Sequence, residues 1–223
     1  MAKKSRSQSK KAKTTDKRKD LRPRRSPVQD RSRETIDLIL NAAAELLESG
    51  GAGAVTTNKI AERAGLSVGS LYHFFNNKQS ILAALFERQL GRFDERVVQL
   101  FAPEFDELPV NEFIDRVMDT VGNAYLETPA LAILLITMQT DPALDNISLE
   151  NRDRFAGWVH GVLARRIPHA RKTELQAAAV VIVETVNAVF RRWMAMQDRP
   201  AAARALLSEL KQNVSLFMTH RFS

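Results

Sequence analysis

The stretch AGLSVGSLYHFFNNK, residues 64–78, gathers small hydroxyl and glycine side chains, two rings with polar edges and a lysine. Its chemistry is hydrogen bonding to a surface rather than bond breaking. Ser67 is a good N-cap for a short helix from Val68 to about Phe74. Ser67, Val68, Gly69 and Ser70 then form its first turn, and side chains this small let the backbone approach another molecule closely. In a DNA major groove, Ser67 or Ser70 can donate to base edges or phosphate, and Val68 can touch a thymine methyl. Tyr72 and His73 lie one turn further on, within reach of phosphates. Thr56, Thr57 and Asn58 open the preceding helix, whose unpaired N–H groups point at an anion. Lys78 places a cation at the start of the next helix. For His73 a role as a half-exposed bystander stands beside the phosphate contact, while Phe74 and Phe75 are expected in the core.

Bond-making chemistry finds little support. The histidines are His73, His160, His169 and His220. None forms a metal spacing or pairs recognisably with a nucleophile. Cysteine is absent, which excludes disulfides and Cys-type zinc or thiol chemistry. There is no Gly-rich phosphate loop. The expectation is no catalytic residue, no metal, no cofactor and no enzyme.

The elements that position these residues are all helical. IDLILNAAAELLES carries Ile36, Ile39, Leu40, Ala43, Leu46 and Leu47 on one face, and Gly50 is the expected C-terminal cap. A second helix starts at Thr56, buries Ile60, Ala61 and Ala64, and ends at Gly65, where the turn needs a positive φ. Two short helices joined by a tight Gly-containing turn make a helix-turn-helix over about 56–75. Ala61 sits at the crossing, and Ile60, Leu66, Leu71 and Phe74 fill the core beneath. Asn76 with Gln79 resembles a capping box for a fourth helix, which runs apolar from Ile81 to Leu100 and stops before Pro103. Further helices are expected at about 109–126, 129–140, 149–167, 172–197 and 200–220. No period-2 alternation and no internal repeat is found. The fold class is all-α with about nine helices.

TTNKIAERAGLSVGSLYHFFNNKQSIL resembles the DNA-binding domain of the tetracycline-repressor (TetR) family. The matching features are Thr-Thr before the helix, Ile-Ala-x-x-Ala-Gly, Leu-Ser-x-Gly-Ser-Leu-Tyr-x-x-Phe, and Asn-Lys before an apolar helix. The resemblance runs from about Ser32 to Arg92. It implies that Thr57, Asn58, Ser67, Val68, Gly69, Ser70, Tyr72, His73 and Lys78 are the DNA-contacting set. It also implies a dimeric regulator, in most members a repressor, with a variable C-terminal domain that senses a ligand and dimerises. Two departures stand out: the basic N-terminal segment is longer than the family needs, and Gln79 stands where an acidic residue is common.

The chain then divides into a basic tail over 1–31, a helix-turn-helix domain over 32–92 and a helical ligand-sensing and dimerisation domain over 93–223. Residues 1–33 carry 14 Lys/Arg against 3 Asp, a net +11; residues 34–223 carry 19 Lys/Arg against 23 Asp/Glu, a net −4. The tail is too poor in apolar residues to offset chain entropy and is expected to be disordered. It can lie along DNA phosphates or an anionic membrane surface, serve only as a solubiliser, or follow from an upstream start in place of the true one. No apolar segment follows it as in a signal peptide. The run PALAILLIT is shorter than the ~20 residues of a spanning helix. A cytoplasmic protein with no membrane partner is therefore expected.

In the C-terminal half the resemblance implies an apolar pocket. Met118, Tyr125, Met138, Phe155 and Trp158 are its candidate lining, and a small apolar or amphipathic molecule its ligand. Packed core is the plainer alternative for each. LQAAAVVIVETVNAVFRRWMAM is apolar almost all round, so it should pack on its own subunit and on a partner. Within it Glu184, Asn187 and Arg191 form a stripe, read first as a solvent edge and second as a polar group in an interface or pocket. The last helix, with Leu206, Leu207, Leu210, Val214 and Phe217, offers a second dimer face. The expected function is a homodimeric repressor on a pseudo-palindromic operator in double-stranded DNA, released by its ligand. The alternative is a sequence-tolerant, architectural DNA binder driven by the tail.

Overall fold

The computed structural model describes residues 30–220, and helices are the regular elements among them. The expected tail lies outside the described residues except for its last two positions, which join the first helix. The order is α1 Asp30–Ala54, α2 Thr57–Arg63, α3 Val68–Phe74, α4 Lys78–Val97, two short 3₁₀ turns at Val98–Phe101 and Pro103–Phe105, α5 Val110–Glu127, α6 Pro129–Thr140, α7 Asp145–Arg166, α8 Lys172–Met194 and α9 Pro200–His220.

Helices α1 to α3 and the first half of α4 form a small head. α2 and α3 have seven residues each, well below the ~12–15 residues an isolated helix needs. They persist because they are capped and packed. Ile60 and Leu71 are fully buried with Ile39 and Leu47 of α1, Phe75, and Ile81, Leu82 and Phe86 of α4. Each such side chain contributes about 1.5–3 kcal/mol through burial. Ala61 is buried, as expected at a helix crossing, whereas Phe74 is only half-buried.

Between the short helices, Gly65 has φ +67°. The Leu66 N–H donates to the Ala61 carbonyl at 2.9 Å and the Gly65 N–H to Glu62 at 3.1 Å, the paired bonds of a Schellman cap. Two expected caps move by one residue. Near the end of α1 the residue with positive φ is Gly51 (φ 65°, ψ −171°), not Gly50; it kinks the helix, which continues beyond it to Ala54. At the start of α4 the N-cap is Asn77 rather than Asn76. Its Oδ1 accepts from the Ser80 N–H at 2.8 Å, and Ser80 Oγ accepts from the Asn77 N–H at 3.3 Å. Ser80 does this from a fully buried position, which leaves Gln79 free to reach elsewhere.

The body is built from the second half of α4 and α5 to α9. α7 and α8 pack along each other, α9 covers α5 and α8, and α6 lies across α1 and α4. Two side-chain contacts tie head to body or α1 to α4. Gln79 Nε2 donates to Asp141 Oδ2 at the end of α6 (3.3 Å), and Arg88 pairs with Asp37 (3.3 Å). An acidic residue at position 79 would face the Asp141 carboxylate, so glutamine fits this chain. α8 is long and apolar enough to cross a membrane by length and composition. It lies instead as a packed helix, with Leu175, Ala179, Ile182, Val183 and Phe190 buried.

Gly65 carries a direct test. A Cβ there meets nothing within 4 Å, so Gly65→Ala adds only backbone strain, about 1–2 kcal/mol in the left-handed region. Urea unfolding should show a lower midpoint at unchanged slope, with a smaller loss for Gly65→Asn.

Candidate nucleic-acid interface and internal cavity

Side chains on α2 and α3 assemble one outer face on the head. Thr56 caps α2, its hydroxyl accepting from the Lys59 N–H at 3.3 Å. Ser67 caps α3 and accepts from the Ser70 N–H at 3.1 Å. The two serine hydroxyls also meet at 3.1 Å, so both are held at the tip of the helix. Thr57 Oγ1 and the Tyr72 hydroxyl lie 3.2 Å apart, linking the start of α2 to α3 and orienting the phenol. Asn58, Ser67, Val68, Gly69, Ser70, Tyr72 and His73 are exposed with Thr56, while Thr57 and Lys78 are half-buried. His73 packs edge-on to Phe74, with ring centroids 5.5 Å apart. Val68 and Tyr72 are 37% and 40% exposed, a cost in water that contact with another molecule would remove. The face thus offers small donors, the apolar Val68 side chain and N–H groups at helix starts, a set suited to base edges and phosphates.

The body holds a partly open cavity of about 90 Å³. Its walls come from α4 to α9 and from the 3₁₀ turn that ends at Phe101, and they are apolar except for Tyr125, Asn151 and Asn187. Of the expected lining residues, Met118, Tyr125 and Phe155 face it. Met138 does not: it is fully buried elsewhere on α6, whose cavity side is carried by Leu131 and Leu135. Trp158 does not either. It stands behind the wall, its ring 4.7 Å from Phe155 and 5.9 Å from Phe101, with the Arg154 guanidinium 5.6 Å from it. Asn187, expected first as a solvent edge, turns to the cavity, while its neighbour Glu184 pairs with Arg152 at 2.9 Å. Phe93, Phe101 and Phe113 also line the wall. The signal for the first was present, because Phe93 and Val97 continue the apolar face of α4 at spacing four beyond the need of the head; Phe101 follows in the 3₁₀ turn and Phe113 stands on α5.

Burial pushes the Tyr125 phenol well above its ordinary pKa, so it stays a neutral donor. Asp94, beside Phe93 on α4, is pushed up by burial against the opposing pull of Arg154, its partner at 2.7 Å. Among the described residues no group of three or more His, Asp or Glu is placed to hold a metal ion.

The chain matches the family described as "Bacterial regulatory proteins, tetR family" over residues 39–85. It matches "Tetracyclin repressor-like, C-terminal domain" over residues 109–215. It is 39% identical over 59 residues to the fatty acid metabolism regulator protein of Bacillus subtilis (strain 168), 26% of this chain and 30% of that one. It is 40% identical over 58 residues to the HTH-type transcriptional repressor KstR of Rhodococcus jostii (strain RHA1), 26% of this chain and 27% of that one. These alignments span less than a third of either relative. Among solved structures, it resembles the transcriptional regulator FadR from Bacillus subtilis in complex with stearoyl-CoA, with a TM-score of 0.64 at 22% identity, covering 82% of this chain and 97% of that one.

Two classes of variant separate the roles on the head. Lys78→Ala should weaken binding to all duplexes alike and reduce the salt slope by about one. Val68→Ala should instead change which sequence is preferred. Anisotropy titrations of labelled duplexes at several salt concentrations distinguish them.

Proposed function

The chain belongs to the tetR family of bacterial regulatory proteins and is a DNA-binding transcriptional regulator, and on that premise we propose that it is a homodimeric, ligand-released repressor. The dimer binds a pseudo-palindromic operator with its α3 helices in successive major grooves, ~34–36 Å apart or a multiple of that. It works where its operator is, in the cytoplasm. A small molecule entering the body cavity favours a conformer in which that spacing is lost.

The observation that supports this most is the sharing of helices between head and cavity. α4 begins beside Lys78 at the candidate interface and ends in the cavity wall at Leu90, Phe93 and Val97. α6 lines the cavity with Leu131 and Leu135 and reaches Gln79 through Asp141. A molecule that displaces the wall must move the elements that carry the head. Ligand release then needs different affinities for two conformers.

A dimer is supported by α8 and α9, which expose Val180, Val181 and Leu216 at 46%, 52% and 56%. Unpartnered apolar side chains on adjacent helices suit a two-fold interface. The ligand class is supported by the apolar wall and by relatives named for fatty acid metabolism and solved with stearoyl-CoA. A fatty acyl compound is the first candidate.

The +11 segment keeps a second reading in play, in which its charge alone holds DNA without regard to sequence. Selection of bound sequences from random duplexes at ~150 mM salt, which limits purely electrostatic binding, separates the two. The full chain and a form lacking residues 1–30 should both enrich one inverted repeat. If neither enriches a motif and the full chain alone binds, the repressor reading fails. Val181→Arg with Leu216→Arg should yield monomers in sedimentation equilibrium and lose operator affinity.

A further inference from the structure

The cavity is not uniform along its length. On α7 the lining runs from Asn151 to Val162, about 16 Å at 1.5 Å per residue. A volume of about 90 Å³ drawn out over that distance is a narrow slot, shaped for a chain rather than a fused ring.

Its polar groups gather at one end. Tyr125 stacks on Phe93 with centroids 5.2 Å apart, and Phe93 meets Phe155 at 5.8 Å, one turn along α7 from Asn151. Tyr125 also lies 5.7 Å from Phe190, one turn along α8 from Asn187. The Arg152–Glu184 pair holds α7 and α8 together at this level. The opposite end is closed by Phe101 and Phe113, 6.3 Å apart. There the segment from Phe101 to Leu108 is strapped to α7. Arg165 donates to the Phe101 carbonyl (2.8 Å), and Arg166 donates to Phe105 (2.8 Å) and Leu108 (2.9 Å).

The polar end has spare hydrogen-bonding capacity but no spare charge. Asn151 Oδ1 accepts from Arg154 at 2.7 Å, which leaves its amide hydrogens available. Asn187 donates to the Val183 carbonyl at 3.0 Å, which leaves its oxygen available. The Tyr125 hydroxyl makes no hydrogen bond among the described residues. The nearest cation, Arg154, is already paired with Asp94. A carboxylate entering here would lose its water with no free cation to offset its charge, whereas a carbonyl, amide or hydroxyl would be satisfied by these groups.

We propose that the slot takes an unbranched chain with an uncharged hydrogen-bonding head, the head among Tyr125, Asn151 and Asn187 and the chain end against Phe101 and Phe113. This deepens the reading of the body as a ligand sensor and rests on it. The head can belong to a thioester or to a free neutral lipid, since both present the same uncharged oxygen.

Calorimetry of the full chain, off DNA and at neutral pH, tests it with dodecanamide, 1-dodecanol, dodecanoate, dodecanoyl-CoA and progesterone. The neutral linear probes should bind at least about tenfold more tightly than dodecanoate, the scale of one or two buried hydrogen bonds. Tyr125→Phe, which keeps the ring, and Asn151→Leu should each weaken dodecanamide several-fold and narrow its gap to dodecanoate. Phe113→Ala should shift the preferred chain length upward. Tight dodecanoyl-CoA binding identifies a thioester as the source; tight dodecanol binding alone identifies a neutral lipid. Dodecanoate binding as tightly as dodecanamide overturns the proposal and leaves the sensor reading standing, as does progesterone outcompeting every linear probe. No binding by any probe, beside normal operator selection, overturns both.

Discussion

α4 has to satisfy two cores at once, and most of the molecule follows from that constraint. Its first half, Ile81, Leu82, Leu85 and Phe86, is fully buried against helices too short to stand alone. Its second half, Leu90, Phe93 and Val97, forms part of a cavity wall. A packed interior is close to incompressible, so a shift of one half cannot be absorbed between them. The start of the helix is pinned from both sides. Asn77 and Ser80 lock its first turn, and the Gln79 amide reaches the Asp141 carboxylate at the end of α6. The second element in contact with both regions, α6, meets α1 and α4 of the head while lining the cavity. Head and body are therefore joined by two rigid elements rather than by a linker.

The rest of the body reads as a frame around the slot. Exposed ion pairs such as Arg116–Glu112 contribute little to stability. Arg165 and Arg166 differ because they donate to the backbone carbonyls of Phe101, Phe105 and Leu108 and so fasten that segment to α7. They hold Phe101 in place, and Phe101 in turn closes the slot against Phe113. An empty apolar slot forfeits contacts on its inner walls, so occupancy stabilises whichever conformer fits the occupant best. That differential is what a switch requires.

The helices and the outer face of the head were legible because their signals are local. Amphipathic spacing, Ser and Thr caps and a glycine at a required positive φ are all written within a few residues. Caps slipped by one position where neighbours offer similar chemistry: Gly50 beside Gly51, and Asn76 beside Asn77. The choice at α4 depended on Ser80 being buried, a tertiary fact. The cavity was less legible. A methionine or tryptophan on an apolar stripe carries no mark of which neighbour it faces. Met138 turned away from the slot, Trp158 stood behind Phe155 and Phe101, and Asn187 faced inward from a stripe that also carries exposed Arg191. Only the packing of α7 against α8 and of α4 against α5 decides those directions.

The central claim is that the cavity and helices α2 and α3 of the head move as one. The absence of cysteine allows a single spin label at Glu62→Cys, an exposed site on α2, to report the distance between the two heads of the proposed dimer. Pulsed electron resonance with operator DNA, and then with saturating dodecanamide, measures that distance in the two states. The account predicts a narrow distribution on the operator and a displaced or broadened one with the ligand bound. An identical distribution in both states, with calorimetry proving the cavity occupied, would contradict it.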